Sequence, residues 1–321
     1  MGPPIESDFH LDISSSLDSV WLNVFENLPR SNLLQAPNTA IALMPGKGQN
    51  PLWGKIMLEN KIIGVFQLAQ AGIFANFIHA ILLDRGPLFL EPHNTFENTI
   101  SFFRIFNETY PRRWGRKRRI MPEYSQDPEF EHHLLETGYR RVKRSLPYKT
   151  AWLDCKDNED MQLAAMRKNW RGALKKAQKK DTKIEWNTPQ YHIKTVLLHY
   201  KADVEVRGYT ATDAKTLKKL MVQFAKTKEL WVGRMESPRG LESFMVFFKH
   251  GSCLTYQAGW SSGSGREANA HHLILWQALG KMREAGLKTL DLGGINEDET
   301  GLTRFKTGAG ANIAELSPLY C

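Results

Sequence analysis

A lysine stands inside a glycine-rich segment near the end of the chain, LDLGGINEDETGLTRFKTGAG, residues 290–310. Asp291 ends an apolar run, a Gly-Gly pair follows where the backbone can turn sharply, and Lys306 comes directly after Phe305. A cation held rigidly beside a strand end can stabilise an oxyanion or bind a phosphate. A glycine-rich hairpin with an incidental lysine is the alternative. We select Lys306, Phe305 and Asp291 as candidate catalytic residues.

A second candidate is the basic stretch MRKNWRGALKKAQKK, residues 166–180, which contains no acidic residue. On a helix, Arg167, Arg171 and Lys175 are successive i,i+4 neighbours, and like charges at that spacing destabilise a helix by roughly a few tenths of a kcal/mol per pair. A bound polyanion would offset this repulsion, whereas a solvated basic face would leave it in place, and the pattern is compatible with both. Together with Arg304, these three residues are candidate substrate- or phosphate-binding groups.

Two further segments have the composition of anion sites. Gly263, Gly265 and Arg266 directly precede a predicted helix, where backbone N–H groups favour an anion, so they are candidate cofactor-binding residues. The tract PRRWGRKRR, residues 111–119, combines cations with Trp114, which suits phosphates and a stacked base. The same tract is also typical of an exposed loop between a helix and a strand.

Composition narrows the classes of protein that the chain can belong to. A length of 321 residues with 42% apolar residues is enough for one large domain or two ordinary ones. The 43 Lys and Arg residues outnumber the 34 Asp and Glu residues, and the net charge of +9 favours a polyanionic partner such as nucleic acid, a nucleotide diphosphate or an anionic membrane surface. The longest apolar run, residues 71–83, is too short to span a bilayer.

Several chemistries lose support because their motifs are missing from the sequence. The three cysteines have no zinc or disulfide spacing, and His271 and His272 are not spaced as metal ligands with a carboxylate, so no metal is expected. There is no G-x-S-x-G elbow, H-E-x-x-H, P-loop or Rossmann fingerprint. The first residues do not read as a signal peptide. We therefore expect a soluble, cytoplasmic protein that can still work against a membrane surface.

The hydrophobic pattern predicts an α/β (α+β) chain whose two halves repeat one plan. Each half shows an antiparallel meander of strands, then a helix and a further strand. A strongly helical stretch, residues 161–181, opens the second half. The predicted domains are residues 1–152 and 153–321, with the boundary near residues 151–157. No linker rich in Pro, Gly or Ser separates the halves, so we expect a close-packed pair of domains with a cleft that is a default ligand site.

Several segments together resemble the FemABX family. The closing stretch LILWQALGKMREAGLKTLDLGGINEDETGLTRFKTGAG is similar to the family's helix, its strand ending in D-x-G-G, and its G-L-x-x-F-K-x-G-x-G segment. GPLFLEP resembles a turn of the family's first domain, HHLLETGYRRVKRSLPYKTAWLDC its passage between domains, and RKNWRGALKKAQKK its basic helix. The likeness covers roughly residues 20–321. The chain departs from some members in having no room for a long coiled-coil arm.

The resemblance implies two packed GNAT-like acyltransferase domains, the first binding the acceptor and the second the donor. It implies transfer of an aminoacyl group from aminoacyl-tRNA, as co-substrate, to an amine of a small acceptor such as a peptidoglycan precursor, without a cofactor, metal or DNA. Lys306 matches the family's F-K lysine, beside the reacting ester. Arg171 or its neighbours match basic residues that hold a precursor diphosphate.

Two alternatives remain open on the sequence. One is an N-acyltransferase of the same fold that uses acyl-CoA, motivated by Gly263, Gly265 and Arg266. The other is a catalytically silent protein that binds RNA or phosphate groups. The transferred amino acid and the acceptor are not encoded in any of these motifs.

Overall fold

The computed structural model describes residues 8–180, 182–186, 190–208, 212–295 and 300–321. Within these residues the chain forms two compact units. Unit 1 contains the residues up to Lys149 together with Glu315–Cys321, and unit 2 contains Thr150–Ala314. The division thus falls just before the predicted boundary region. The last residues, which the sequence assigned to the second domain, belong to unit 1.

Unit 1 is built on a mostly antiparallel sheet. Its strands are β1 (Phe9–Ser14), β2 (Asn50–Leu58), β3 (Lys61–Ile73), β4 (Ile78–Gly86), β5 (Leu88–Phe89) and β6 (Arg116–Pro122). They are arranged in the order β1-β2-β3-β4-β6, with β5 beside β3. The neighbours pair antiparallel except β4 and β6, which run parallel. The predicted meander is confirmed, and Glu59 and Asn60, which join β2 to β3, both adopt the positive φ that a two-residue hairpin turn needs.

Helices cover the sheet of unit 1 with aromatic side chains. They are α1 (Ser19–Glu26), α2 (Pro37–Leu43), α3 (Phe96–Thr109) and α4 (Pro128–Glu136). In α3 the 3.6-residue spacing places Phe102, Phe103 and Phe106 on one face, and all three are fully buried. Thr95 caps the start of α3, and Pro111 lies just beyond its end. The core of unit 1 is therefore dominated by ring packing against β3, β4 and β6.

The C-terminal tail, residues 317–321, completes the sheet of unit 1. Tyr320 exchanges both backbone hydrogen bonds with Ile120 of β6, at 2.9 and 3.0 Å, and Cys321 does the same with Arg140, at 2.9 Å each. The Tyr320 side chain is fully buried in the unit 1 core, and this burial raises its pKa above the usual range. The tail thus covers the edge of β6 that would otherwise be unpaired.

Unit 2 repeats the strand plan. Its sheet consists of β7 (Tyr148–Asp154), β8 (Ile184–Glu185), β9 (Leu230–Ser237), β10 (Gly240–His250), β11 (Cys253–Ser261), β12 (Thr289–Gly294) and β13 (Asn312–Leu316). The order is β13-β7-β12-β11-β10-β9-β8. From β8 to β11 the strands form an antiparallel meander, β11 and β12 are parallel, and β12 and β7 are antiparallel.

The helices of unit 2 bear on two expectations from the sequence. They are α5 (Glu159–Ala165), α6 (Lys168–Lys179), α7 (Gln190–Arg207), α8 (Ala214–Lys226), α9 (Gly263–Glu267), α10 (Ala270–Glu284) and α11 (Thr300–Gly308). The strongly helical stretch predicted over residues 161–181 is confirmed as two helices, α5 and α6, which separate where the Arg167 amide donates to the Gly308 carbonyl at 2.9 Å. Lys306 lies on α11 and not on the glycine-rich hairpin that the sequence left open as the alternative. No helix in the described ranges is long and apolar enough to cross a membrane.

Candidate functional site

The parallel strands of unit 2 stop pairing after a short stretch. β11 and β12 pair only at Cys253 with Thr289, Leu254 with Leu290 and Thr255 with Asp291, although both strands continue. Just beyond this point β11 bulges, because its register with β10 skips Gln257. Past Thr255 and Asp291, the facing edges of these two described strands therefore no longer form a ladder with each other. We call this place the divergence point.

Asp291 shapes the divergence point with its side chain. The carboxylate oxygen Oδ1 accepts a hydrogen bond from the Thr150 hydroxyl at 2.6 Å and another from the Gly293 amide at 2.8 Å. The side chain is almost completely buried. Gly293 has a φ of 77°, which a residue without a Cβ adopts readily, and the register of β12 with β7 shifts between Asp291 and Gly294. The Asp291 side chain thus holds the end of β12 in its turned conformation, at a place where β12 forms no ladder with β11.

Lys306 reaches the same peptide segment from the other side. Its ammonium Nζ donates to the carbonyl oxygens of Gly294, at 2.7 Å, and Gly293, at 3.2 Å. The lysine is 3% exposed, so a side chain that usually lies in water is held inside the unit. The structure therefore brings two of the predicted catalytic residues, Asp291 and Lys306, onto the Gly293 and Gly294 peptides where β12 leaves β11.

Phe305 points toward a different environment from Lys306. Its ring lies 5.9 Å from the Trp170 ring of α6 and 5.1 Å from the His272 ring of α10. Burial, with a smaller contribution from neighbouring His271, lowers the pKa of His272 to about 4, so the ring is neutral near pH 7. Phe305 consequently fixes α11 against two other helices, and its predicted catalytic role stays a prediction.

His271 also packs within unit 2. Its Nε2 lies 3.1 Å from the Trp260 carbonyl and 3.2 Å from the Phe244 carbonyl, and both partners can only accept, so Nε2 must bear the hydrogen. Across the part of the chain that the structure describes, no cluster of three His, Cys, Asp or Glu side chains is arranged to hold a metal ion.

The basic face of α6 is joined to α11 at its start. Besides the bond from Arg167 to the Gly308 carbonyl, a Cβ built on Gly308 would lie 3.0 Å from the Trp170 side chain, so the helices touch closely. Trp170 is buried, whereas Arg167, Arg171 and Lys175 are exposed. The Arg171 guanidinium donates to the Met166 carbonyl at 2.6 Å, at the end of α5.

Carboxylates of the described residues do not neutralise these cations. Among the described residues, no salt bridge is formed by Arg167, Arg171, Lys175 or the exposed Arg304. The candidate substrate-binding residues therefore present positive charge to solvent.

In the glycine loop chosen as a cofactor site, the Gly265 and Arg266 donors are already used within the unit. Gly263, Gly265 and Arg266 lie inside the short helix α9. The Gly265 amide donates to the Ser262 hydroxyl at 3.0 Å, and the Arg266 side chain donates to the Ser261 carbonyl at 2.6 Å. A Cβ on Gly265 would come within 2.5 Å of the Glu242 carbonyl, so this glycine serves a close backbone approach.

A carboxylate lies where the cofactor anion was expected. Glu242 accepts hydrogen bonds from the hydroxyls of Ser237 at 2.8 Å, Ser264 at 2.7 Å and Ser262, and these bonds lower its pKa to about 2. An ionised carboxylate at the start of α9 opposes a second anion there. The alternation of side chains along β10 assigns Glu242 to one face of the sheet, but it does not show that three serine hydroxyls surround the carboxylate. For this reason the sequence did not single out Glu242 as part of a site.

The fold is a FemABX-like arrangement of two GNAT-like domains, as the sequence resemblance implies. The chain is similar to a crystal structure of FemX, with a TM-score of 0.78, 15% identity and 96% of each chain covered. It is also similar to L-PGS from Bacillus licheniformis, with a TM-score of 0.50, 12% identity, and 94% of this chain and 91% of that chain covered.

A third similar structure is a tandem GNAT protein from the clavulanic acid biosynthesis pathway. It has a TM-score of 0.50 and 13% identity, and 98% of each chain is covered. No family model and no curated protein matches the chain. At these identities the likeness establishes the fold alone.

Proposed function

We propose that this chain is an acyltransferase, and specifically that it moves an aminoacyl group from aminoacyl-tRNA to an amine of a small acceptor. The observation that carries the proposal is the divergence point, where Asp291 and Lys306 hold the Gly293 and Gly294 peptides beside strand edges that no longer pair with each other. An extended acyl ester has the backbone-like shape that can lie along such edges. The FemABX-like fold supports the same reading.

The reaction would be attack of a neutral amine nitrogen on the ester carbonyl of the donor. The new C–N bond forms, the C–O bond to the ribose breaks, and the amine proton ends on the departing ribose oxygen. Positive charge from Lys306 would stabilise the oxyanion of the tetrahedral intermediate, a contribution of about 2.7–4 kcal/mol where a single oxyanion donor is removed. Lys306 also holds the end of β12 through two carbonyls, so it would position the site as well as polarise it.

The exposed cations of α6 favour aminoacyl-tRNA over acyl-CoA as the donor. Arg167, Arg171 and Lys175 offer a row of charges suited to RNA phosphates, and Arg304 adds one on α11. The diphosphate of acyl-CoA, in contrast, would meet the Glu242 carboxylate if it occupied the α9 loop. Similarity to a tandem GNAT protein keeps acyl-CoA-dependent N-acylation as the second candidate. Use of aminoacyl-tRNA implies a cytoplasmic location, and a peptidoglycan precursor is the acceptor we would test first.

The test is transfer from tRNA charged with labelled amino acids to amine acceptors, compared between the wild-type chain and two variants. Lys306→Ala should lower kcat by about a hundredfold or more, because it removes the charge and both carbonyl contacts. Leu302→Ala, a partly exposed change on the same helix, should leave kcat within about twofold.

Three outcomes would redirect the proposal. Undiminished transfer by Lys306→Ala would contradict the role of this lysine. Thermal stabilisation by acetyl-CoA but not by charged tRNA would favour N-acylation. Salt-sensitive RNA binding without turnover for either donor would indicate a silent binding protein.

A further inference from the structure

The β3–β4 hairpin of unit 1 ends in a group of apolar side chains that lie in water. This group, which we call the aromatic tip, consists of Ile73 (56% exposed), Phe74 (77%), Phe77 (56%), Ile78 (46%) and Trp114 (78%). Four of its members belong to the hairpin, and Trp114 comes from the loop before β6. Single exposed apolar residues are common, but a contiguous group at the end of a hairpin indicates a surface that a binding partner covers.

Backbone contacts hold the aromatic tip in a fixed shape. The Arg113 guanidinium donates to the Phe77 carbonyl at 2.8 Å and also to the Asn76 carbonyl. The Phe77 and Trp114 rings lie 5.3 Å apart. Gly115 has a φ of 78°, and a Cβ there would lie 2.5 Å from the Phe77 carbonyl, so only glycine lets the loop close on the hairpin. The exposed rings are therefore presented by a rigid support.

Exposed positive charge lies beside the aromatic tip, in residues 112–119, and we call this group the cationic collar. Arg112, Arg113, Lys117 and Arg119 are exposed, and neither residues 111–119 nor residues 71–83 include an acidic side chain. Arg116 and Arg113 contribute, after burial, to lowering the pKa of His79 at the base of the hairpin, which is the response expected inside a positive field. A partner that covers this surface must offer an apolar region for the exposed side chains of the tip and negative charge for the cations beside it.

We propose that the aromatic tip and its cationic collar bind an anionic lipid bilayer. Phe and Trp side chains enter the region between headgroups and acyl chains, while Arg and Lys side chains pair with lipid phosphates. Single-stranded RNA would use the rings as a stacking platform, but it offers nothing to cover the aliphatic Ile73 and Ile78. A membrane covers the rings and the aliphatic side chains alike. This surface lies wholly in unit 1 and its argument does not depend on the proposed transfer reaction.

The experiment is co-sedimentation of the full chain with vesicles at about 0.1 M salt, where surface charges act over about 10 Å. Binding is expected to vesicles of phosphatidylcholine mixed with phosphatidylglycerol, and to be at least about tenfold weaker with phosphatidylcholine alone. Phe74→Ser combined with Trp114→Ser should weaken binding to the anionic vesicles by about tenfold or more, because it removes the inserted rings. Arg112→Glu combined with Lys117→Glu should weaken it at least as much.

Two matched controls separate this surface from general effects. Leu146→Ser removes another apolar side chain of unit 1 that is 82% exposed, and Lys215→Glu combined with Lys218→Glu makes the same change in net charge on α8. Both controls should bind the anionic vesicles like the wild-type chain. Circular dichroism checks that every variant is folded, and Trp114→Ser alone replaces the double variant if that one is not.

The proposal is overturned if the wild-type chain does not sediment with anionic vesicles, or sediments equally with neutral ones. It is also overturned if the controls lose as much binding as the tip and collar variants. Binding of a single-stranded RNA oligonucleotide that the tip variants abolish, with no vesicle binding, would assign the surface to RNA instead.

Discussion

Units 1 and 2 share one strand plan and differ at the end of their parallel strand pair. In unit 1, β4 and β6 stay paired from His79 with Arg116 as far as Gly86 with Pro122. In unit 2, β11 and β12 stop pairing after Thr255 and Asp291. The end of the parallel strand pair is therefore closed in unit 1, where the strands stay paired, and open in unit 2, where they separate.

The two ends differ in what a carboxylate binds. In unit 1, Glu123 receives two hydrogen bonds from Arg85 of β4, at 2.6 and 2.9 Å, and both side chains are nearly buried. This ion pair links the ends of the parallel strands. In unit 2, Asp291 bonds instead to Gly293 of its own strand and to Thr150 of β7. A carboxylate that binds across the parallel pair closes it, and one that binds away from the pair leaves it open.

The largest expected effect is on the closed end. Glu123→Gln leaves the buried Arg85 guanidinium without its ionic partner and should lower the free energy of unfolding of unit 1 by about 3–5 kcal/mol in a urea titration. Glu136→Gln, which removes an exposed carboxylate near two histidines, should change it by less than about 0.5 kcal/mol. Equal effects of the two substitutions would show that the ion pair does not close unit 1.

The open end of unit 2 depends on the packing of α11. Because His272 packs on Phe305 of this helix, the pH dependence of the free energy of unfolding tests that packing. The folded pKa of about 4 lies below the unfolded value of about 6.5, so the unfolded chain binds the extra proton between these pH values. Stability from this group is complete above pH 6.5 and falls with decreasing pH, by up to about 3 kcal/mol near pH 4.

His272→Phe should remove that part of the dependence, because a ring that cannot be protonated keeps its packing on Trp170 and Phe305. Thermal unfolding at pH 4.5 and pH 7.5 measures the difference. The exposed His132→Gln serves as the control and should leave the slope as in the wild-type chain. An unchanged slope in His272→Phe would mean that this histidine is not buried in the neutral form.

A smaller effect is expected from the hydroxyl that holds Asp291. Thr150→Val should lower the free energy of unfolding by about 1–3 kcal/mol, because it takes a hydrogen bond from a buried carboxylate. It should also lower transfer activity, since the end of β12 is no longer fixed. Thr150→Ser keeps the hydroxyl and should recover most of both losses. If the Thr150→Val and Thr150→Ser variants behave alike, the position of the Asp291 side chain does not depend on this hydrogen bond.

The smallest effects come from two glycines near the divergence point. Gly293→Ala places a Cβ at a φ of 77° and should cost about 1–2 kcal/mol of unfolding free energy. Gly301→Ala lies on α11 with open space around it and should stabilise the helix by up to about 1 kcal/mol. Chemical denaturation of both variants tests this, and opposite signs are expected. A neutral Gly293→Ala would show that the turn of β12 does not need a left-handed residue.

The strands of both units follow from sequence because alternation and turn residues are local signals. The residues between β2 and β3 and between β9, β10 and β11 are such turn signals, and the helical spacing of Leu275, Leu279 and Met282 marks the buried face of α10. α11 was missed because a short segment with glycines at both ends has little helical propensity. The helix is held instead by the Lys306 hydrogen bonds to the β12 carbonyls and by the packing of Phe305. Tertiary contacts outweighed local preference here.

The site was only partly predictable for the same reason. Asp291 and Lys306 could be chosen because they flank one glycine-rich segment. Thr150, however, lies 141 residues before Asp291 in the chain, and no local pattern joins them. The α9 loop was chosen for its glycines, but the use of its amides and the position of Glu242 are settled by β9 and β10 packing. Which donors are already occupied is a property of the folded unit.

The position of the C-terminal tail sets an order on synthesis of the chain. Unit 1 needs residues 317–321 to cover β6, and the whole of unit 2 is encoded between these residues and the rest of unit 1. During synthesis on the ribosome, the backbone groups at the edge of β6 therefore stay unpaired until every residue of unit 2 has emerged. A chain released early would carry a complete second sheet and an unfinished first one, exposed to association with other nascent chains.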